Sequence, residues 1–239
     1  MNKLKTAVLY ECSTKIKPMC IFYLIQYAIT GLIFAVVALS VGDGNVGSNC
    51  LEFSSVVFVC VLGVLGYHED LKALSQNGFT RRYIYGATIC MFLFISALMA
   101  FIDTLIGNSL HYFVKGYFTL YGGLYGYGDH ILNWLMLTVW YLSFCLLAYL
   151  CVLTVRKLGK LASTYLAVGL GGLILLVTAL FRFVLEAETV RAIGRFFQRA
   201  MGFMPDGGVN LLFPLLSFIT VSAVFALISY AIILRTEIK

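Results

Sequence analysis

Six long apolar runs constrain this 239-residue chain more than any other feature of it. They lie near residues 19–41, 51–67, 84–106, 132–155, 161–181 and 209–234. Most are close to the roughly 20 apolar residues that an α-helix needs to cross the hydrocarbon of a bilayer. A backbone placed in hydrocarbon must satisfy its own N–H and C=O groups, and a helix does this within one segment. Composition agrees, with 61% of residues hydrophobic and 12% charged, where soluble domains carry about 25% charged residues. Mean hydropathy is +0.94. The expectation is an all-α integral membrane protein, a single transmembrane domain over residues 1–239 with six transmembrane helices. The second run is the weakest, because Glu52 stands at its start and its wholly apolar part is about fifteen residues long.

Residues 1–18 set Leu4, Ala7, Val8, Cys12 and Ile16 among Lys3, Lys5, Glu11, Lys15 and Lys17 at close to a 3.6-residue period. That predicts an amphipathic helix lying on the inner leaflet, with Pro18 as the elbow into the first span. A frayed basic tail is the bland alternative. No small-residue cleavage site follows, so the first span is expected to be retained rather than removed as a signal peptide. Lys and Arg concentrate in cytoplasmic connections. With the N terminus inside, twelve of the 17 cations fall on the inner side, and Lys115, Arg182, Arg191, Arg195 and Arg199 fall outside. Both termini are therefore expected in the cytoplasm of a multi-pass protein of the cell membrane. The net charge of +6 is this inside bias facing anionic headgroups, so membrane lipids rather than nucleic acid are the expected partner. The seven cysteines include no CxxC pair, and only Cys50 is expected outside, so no intramolecular disulfide is expected.

Two outer segments stand out. Between residues 108 and 130, Tyr112, Tyr117, Tyr121, Tyr125 and Tyr127 alternate with glycines. This pattern suits a headgroup-level aromatic belt or a contact surface for an amphipathic ligand. Residues 183–208 carry Glu188, Arg191, Arg195 and Arg199 on one helical stripe, which predicts an outer helix before the last span. Small residues such as Gly169, Gly171 and Gly172 mark faces where transmembrane helices can approach closely.

Catalytic chemistry is poorly supplied. His68, His111 and His130 fall in different loops, no HExxH pair occurs, and no serine has a recognisable nucleophile context. No GxxxxGK[ST] stretch is present to cradle ATP phosphates. The chain is expected to be no enzyme and to hold no cofactor or metal. A carrier would bury ionisable groups in the membrane at about 2.5–3.5 kcal/mol each on insertion scales. The best candidate is Asp103, which the sequence places near the outer end of the third span, within reach of headgroups or of a substrate.

The polar island at residues 68–83 interrupts this apolar pattern on the inner side. Glu69, Asp70, Lys72 and Gln76 can form a polar helical face, and Leu71, Leu74 and Phe79 offer apolar knobs. Asn77-Gly78 then permits a sharp exit, and Arg81 and Arg82 anchor the next span at the inner headgroups. As a bare feature this is either a docking helix or a positive-inside loop with a glycine turn. The run from Leu74 to Tyr85, LSQNGFTRRYIY, resembles the loop before the third span in membrane subunits of type-2 ABC transporters, the permease class that includes peptide and drug exporters and lantibiotic-immunity systems. The six-span layout, the amphipathic start, the outer helix and the basic finish at residues 234–239 are similar to that family as well.

The resemblance implies an export permease for an amphipathic or hydrophobic substrate such as a peptide, antibiotic or lipid, in a bacterial cell membrane. It implies two ABC ATP-binding subunits as partners, carrying ATP and Mg, and a second permease subunit, identical or a sister protein. Residues 68–83 would be the ATPase-coupling loop. The rival readings are a six-helix solute carrier or binding subunit, and a non-transporting membrane immunity or scaffold protein.

Overall fold

The computed structural model describes residues 3–41, 51–66, 74, 76, 78–114, 117–183, 186–204 and 207–235. Among these the protein is all-α: α1 (Lys3–Val41), α2 (Glu52–Leu65), α3 (Arg81–Phe113), α4 (Leu120–Tyr125), α5 (His130–Leu158), α6 (Lys160–Phe183), α7 (Ala187–Ala200) and α8 (Leu212–Arg235). Five of them, α1, α3, α5, α6 and α8, are long and apolar enough to cross a membrane, which is compatible with a multi-pass membrane protein. The second expected span, residues 51–67, is not of that length among the described residues. Its 14-residue α2 reaches about 21 Å at 1.5 Å per residue, short of a hydrocarbon core about 30 Å thick.

The N-terminal segment also differs from expectation. Pro18 lies inside α1, which continues as one helix from the charged preamble into the first apolar run. An interior proline costs about 3 kcal/mol in an isolated helix. What offsets it is a stripe at helical spacing, Ala7, Glu11, Lys15, Met19, Tyr23 and Gln26, that is buried along its length. Thr88 Oγ1 on α3 donates to Glu11 Oε1 at 3.4 Å, and Tyr23 donates from its hydroxyl to the Met99 carbonyl at 3.1 Å. The preamble therefore rests one face on protein instead of lying free on lipid.

The chain divides into two units, residues 1–149 and 150–239, with the boundary inside α5. In the first, α3 is the central element and buries Ile84, Met91, Phe92, Ile95 and Met99. Trp134 on α5 donates from its indole nitrogen to the Ala97 carbonyl at 2.9 Å, and Phe92 meets Tyr149 edge to face at 5.3 Å. Gly63 lets α2 approach α5 so closely that a Cβ there would strike the Cys145 carbonyl. Phe22 and Phe58 stack at 4.4 Å between α1 and α2.

In the second unit, Gly159 at φ +83° turns the chain into α6, which is exposed along almost its whole length. Helix α7 is strongly amphipathic, as its arginine stripe predicts, and none of its residues is buried. A tight corner links it to α8. Gly202 has φ +89°, and a Cβ there would come within 2.6 Å of the Asn210 carbonyl, while Ser217 donates to the Ala200 carbonyl at 3.3 Å.

Candidate functional site

The N-terminal end of α3 carries the first candidate. Leu74 and Gln76 are helical, Gly78 has φ +74°, and the Phe79 N–H bonds back to the Leu74 carbonyl at 3.2 Å. A left-handed glycine followed by that six-to-one bond is a Schellman stop, which closes a helix and satisfies one of its last carbonyls. Two residues later Arg81 opens α3, so the stop is joined to the longest internal helix of the first unit by only Phe79 and Thr80. Gln76 and Arg82 are exposed, and Phe79 and Arg81 are half-buried. Leu74, expected as a docking knob, is instead 4% exposed and packs into the protein. Glu69, Asp70, Leu71, Lys72 and Asn77 lie outside the described residues.

The other end of α3 carries a second and more elaborate arrangement. Asp103, expected at the interface, is 3% exposed. The reason is that α3 runs on for ten more residues to Phe113, about 15 Å of helix, and other side chains close over the carboxylate. Tyr141 of α5 donates to Asp103 Oδ2 at 2.6 Å, and the Tyr23 and Ser55 hydroxyls face the same group. A second carboxylate, Glu52, is buried nearby, its Oε1 3.8 Å from where a Cβ on Gly107, one turn along α3 from Asp103, would stand. Its Oε1 accepts the Leu120 N–H at 3.0 Å, while Oε2 has no partner among the described residues.

That bond pins a small cap. Thr119 is the N-cap of α4 and accepts the Gly122 N–H on its Oγ1 at 2.9 Å, the side-chain cap expected of threonine. Gly107 lets the cap sit close, since a Cβ there would lie 2.8 Å from Thr119 Cγ2. The Tyr127 hydroxyl accepts the Thr119 N–H at 3.2 Å, and the Tyr127 ring stacks on His111 with centroids 3.6 Å apart.

The five expected contact tyrosines therefore divide. Tyr117 and Tyr121 are buried in the cap and present no surface to a ligand, Tyr125 and Tyr127 are half-buried, and Tyr112 is exposed. Burial dominates over belt chemistry because the glycines fold the segment back onto the helix ends. Burial, with lesser help from Asp129 and Tyr125, pushes the Tyr121 phenol up to about 12; burial also raises that of Tyr125.

A cavity of about 260 Å³ opens beside the cap, lined by Asn108, His111, Tyr112, Tyr127 and His130. In sequence the two histidines fall in different loops. The signal that could have joined them is the three-residue spacing of Asn108 and His111, which puts an amide and an imidazole on one face at the end of an apolar helix. Glu52, in sequence only a polar interruption at the start of an apolar run, belongs to this end of the protein as well. The chain matches no protein-family model, no curated protein and no solved structure.

Proposed function

We propose that the chain is the permease subunit of an ATP-driven type-2 ABC exporter that moves an amphipathic or hydrophobic substrate, such as a peptide, antibiotic or lipid, across a bacterial cell membrane. The observation that carries this reading is the helix stop at Gly78 joined by two residues to α3. A chain with no phosphate-binding loop would receive its work from outside, and a helix stop only two residues ahead of a long helix is a place to apply it. A push delivered at Gly78–Thr80 would pass into α3, whose far end carries Asp103, Gly107 and the cap. Two such permeases on two ATP-binding subunits, with ATP and Mg held entirely by the partners and both permease termini cytoplasmic, would alternate between inward and outward access by a shift of conformational populations. Tyr112, Tyr125 and Tyr127 are the tyrosines of this segment left at least partly accessible to cargo.

The test is co-purification of the membrane complex with an ABC ATPase expressed alongside, comparing wild type with Gly78→Pro plus Arg81→Glu and following ATP hydrolysis. The wild type is expected to retain the ATPase. The variant is expected to insert normally and to lose the ATPase or its substrate-stimulated turnover. An ATPase that never associates, or a variant indistinguishable from wild type, overturns the permease reading.

One observation favours the carrier reading as the second choice. Asp103 and Glu52 are buried ionisable groups within apolar helices, the feature that an ion-coupled carrier requires. Uptake or efflux by the chain alone in vesicles, driven by a proton or sodium gradient and abolished in Asp103→Asn, would establish it.

A further inference from the structure

We propose that His111 and His130 form a two-imidazole binding site for a divalent transition-metal ion of the zinc or copper type, in the cavity beside the cap. Both rings line the same space of about 260 Å³, and each has its Nδ1 already engaged. His111 Nδ1 lies 2.8 Å from the Tyr117 carbonyl oxygen. A carbonyl only accepts, so this nitrogen bears the proton and Nε2 keeps its lone pair. Stacking on Tyr127 at 7° between ring planes fixes the remaining freedom of the ring.

His130 is matched. Its Nδ1 lies 2.8 Å from the Asn108 amide, whose nitrogen and oxygen exchange places on a half-turn. With Nδ2 toward the ring, Asn108 Oδ1 is a buried acceptor without a donor. With Oδ1 toward the ring, His130 Nδ1–H donates to it, and the amide NH2 takes the buried position that Oδ1 leaves. The second arrangement leaves His130 Nε2 with a free lone pair too. Both imidazoles then hold Nδ1–H on an oxygen and offer Nε2, the outer-shell pattern that orients metal-ligating histidines. Asn108 and His111, one turn apart on α3, bring the two rings to one side of the helix end. Imidazole suits zinc, copper and nickel, and neither calcium nor magnesium.

Among the described residues no three His, Cys, Asp or Glu side chains converge on a metal position. The site therefore supplies two nitrogens and leaves the other positions to water or to a ligand. An adjoining cavity of about 280 Å³, lined by Thr104, Leu105, Ser109 and the shared Asn108, Tyr112 and His130, gives such a ligand room. A bound ion would tie the end of α3 to the start of α5. The inference does not rest on the permease reading.

The experiment is Cu(II) titration of the full chain, produced without a polyhistidine tag and held in neutral-lipid nanodiscs, read by electron paramagnetic resonance. One bound Cu(II) per chain with hyperfine coupling to two imidazole nitrogens is expected, displaced by excess Zn(II). His111→Ala and His130→Gln should each reduce the coupling to one nitrogen. Asn108→Leu should keep both and weaken binding about 10-fold, the usual penalty for losing an outer-shell partner. His130→Gln is the safer variant, because the ring is exposed and its one described polar contact is Asn108. A Zn(II)-dependent rise in melting temperature, absent from His130→Gln, is the second readout. A wild-type spectrum with one imidazole nitrogen or none, or spectra unchanged in both histidine variants, overturns the site.

Discussion

Glu52 Oε1, on the first residue of α2, accepts the backbone N–H of Leu120, the first residue of α4, at 3.0 Å. The first N–H groups of a helix have no partner within it, and here one of them is satisfied by a carboxylate 68 residues away in the chain. Glu52→Gln keeps an oxygen at that position and should leave the cap in place. Glu52→Leu strands a buried donor, at about 1–3 kcal/mol, so hydrogen exchange at Leu120 should accelerate about 10-fold or more. Equal exchange in the Leu variant and wild type would show that other contacts hold the cap.

Tyr141 and Asp103 form a short side-chain bond, 2.6 Å between two groups that are 0% and 3% exposed. Removing one partner leaves the other buried and unsatisfied, whereas removing both with apolar groups of similar shape is far less damaging. Tyr141→Phe should destabilise the protein by about 1–3 kcal/mol, and Tyr141→Phe with Asp103→Leu by less than the sum of the two single changes. Additive losses in thermal unfolding would mean that the pair is not coupled.

The sequence announces elements whose cause is local and conceals those whose cause is tertiary. The apolar runs become α1, α3, α5, α6 and α8 because length and hydropathy suffice to specify them. The arginine stripe becomes α7, and Gly78 ends its helix because a left-handed residue and a following Arg-led span are written in adjacent letters. Pro18 misleads because the compensation for an interior proline lies in Thr88 and Met99, far along the chain. Asp103 misleads for the same reason, its depth being decided by Tyr141 and by a helix that continues past the apolar run. The cap and the paired histidines are least visible, since loop glycines give no hint of which ring they let in.

Gly122 and Gly123 are neighbours in α4 with opposite surroundings. A Cβ on Gly122 would strike the Tyr127 ring and lie 2.6 Å from Thr119 Oγ1, while one on Gly123 meets nothing within 4 Å. Gly123→Ala should be neutral or stabilising by up to about 1 kcal/mol through helix propensity. Gly122→Ala should expel Tyr127 from the cap and unstack it from His111, lowering the melting temperature and the near-ultraviolet dichroism of the tyrosines. If the two alanine variants behave alike, the packing of Tyr127 on Gly122 is not what shapes the cap.

The cap should also be sensitive to alkali. Tyr121 titrates near 10 when unfolded and is pushed up to about 12 in the fold, first by burial and then by Asp129 and Tyr125. Between those values the folded state holds the phenolic proton more tightly than the unfolded state, so stability falls as pH rises. The contribution is complete below pH about 10 and is lost as pH passes about 12. Asp129→Asn removes one of the charges that raises the phenol, so its tyrosinate absorbance should appear at lower pH than in wild type. Tyr121→Phe has no phenol to ionise and should keep the cap protected from proteolysis through that alkaline range. A wild-type cap that opens at the same pH as Tyr121→Phe would assign the alkaline transition to another group.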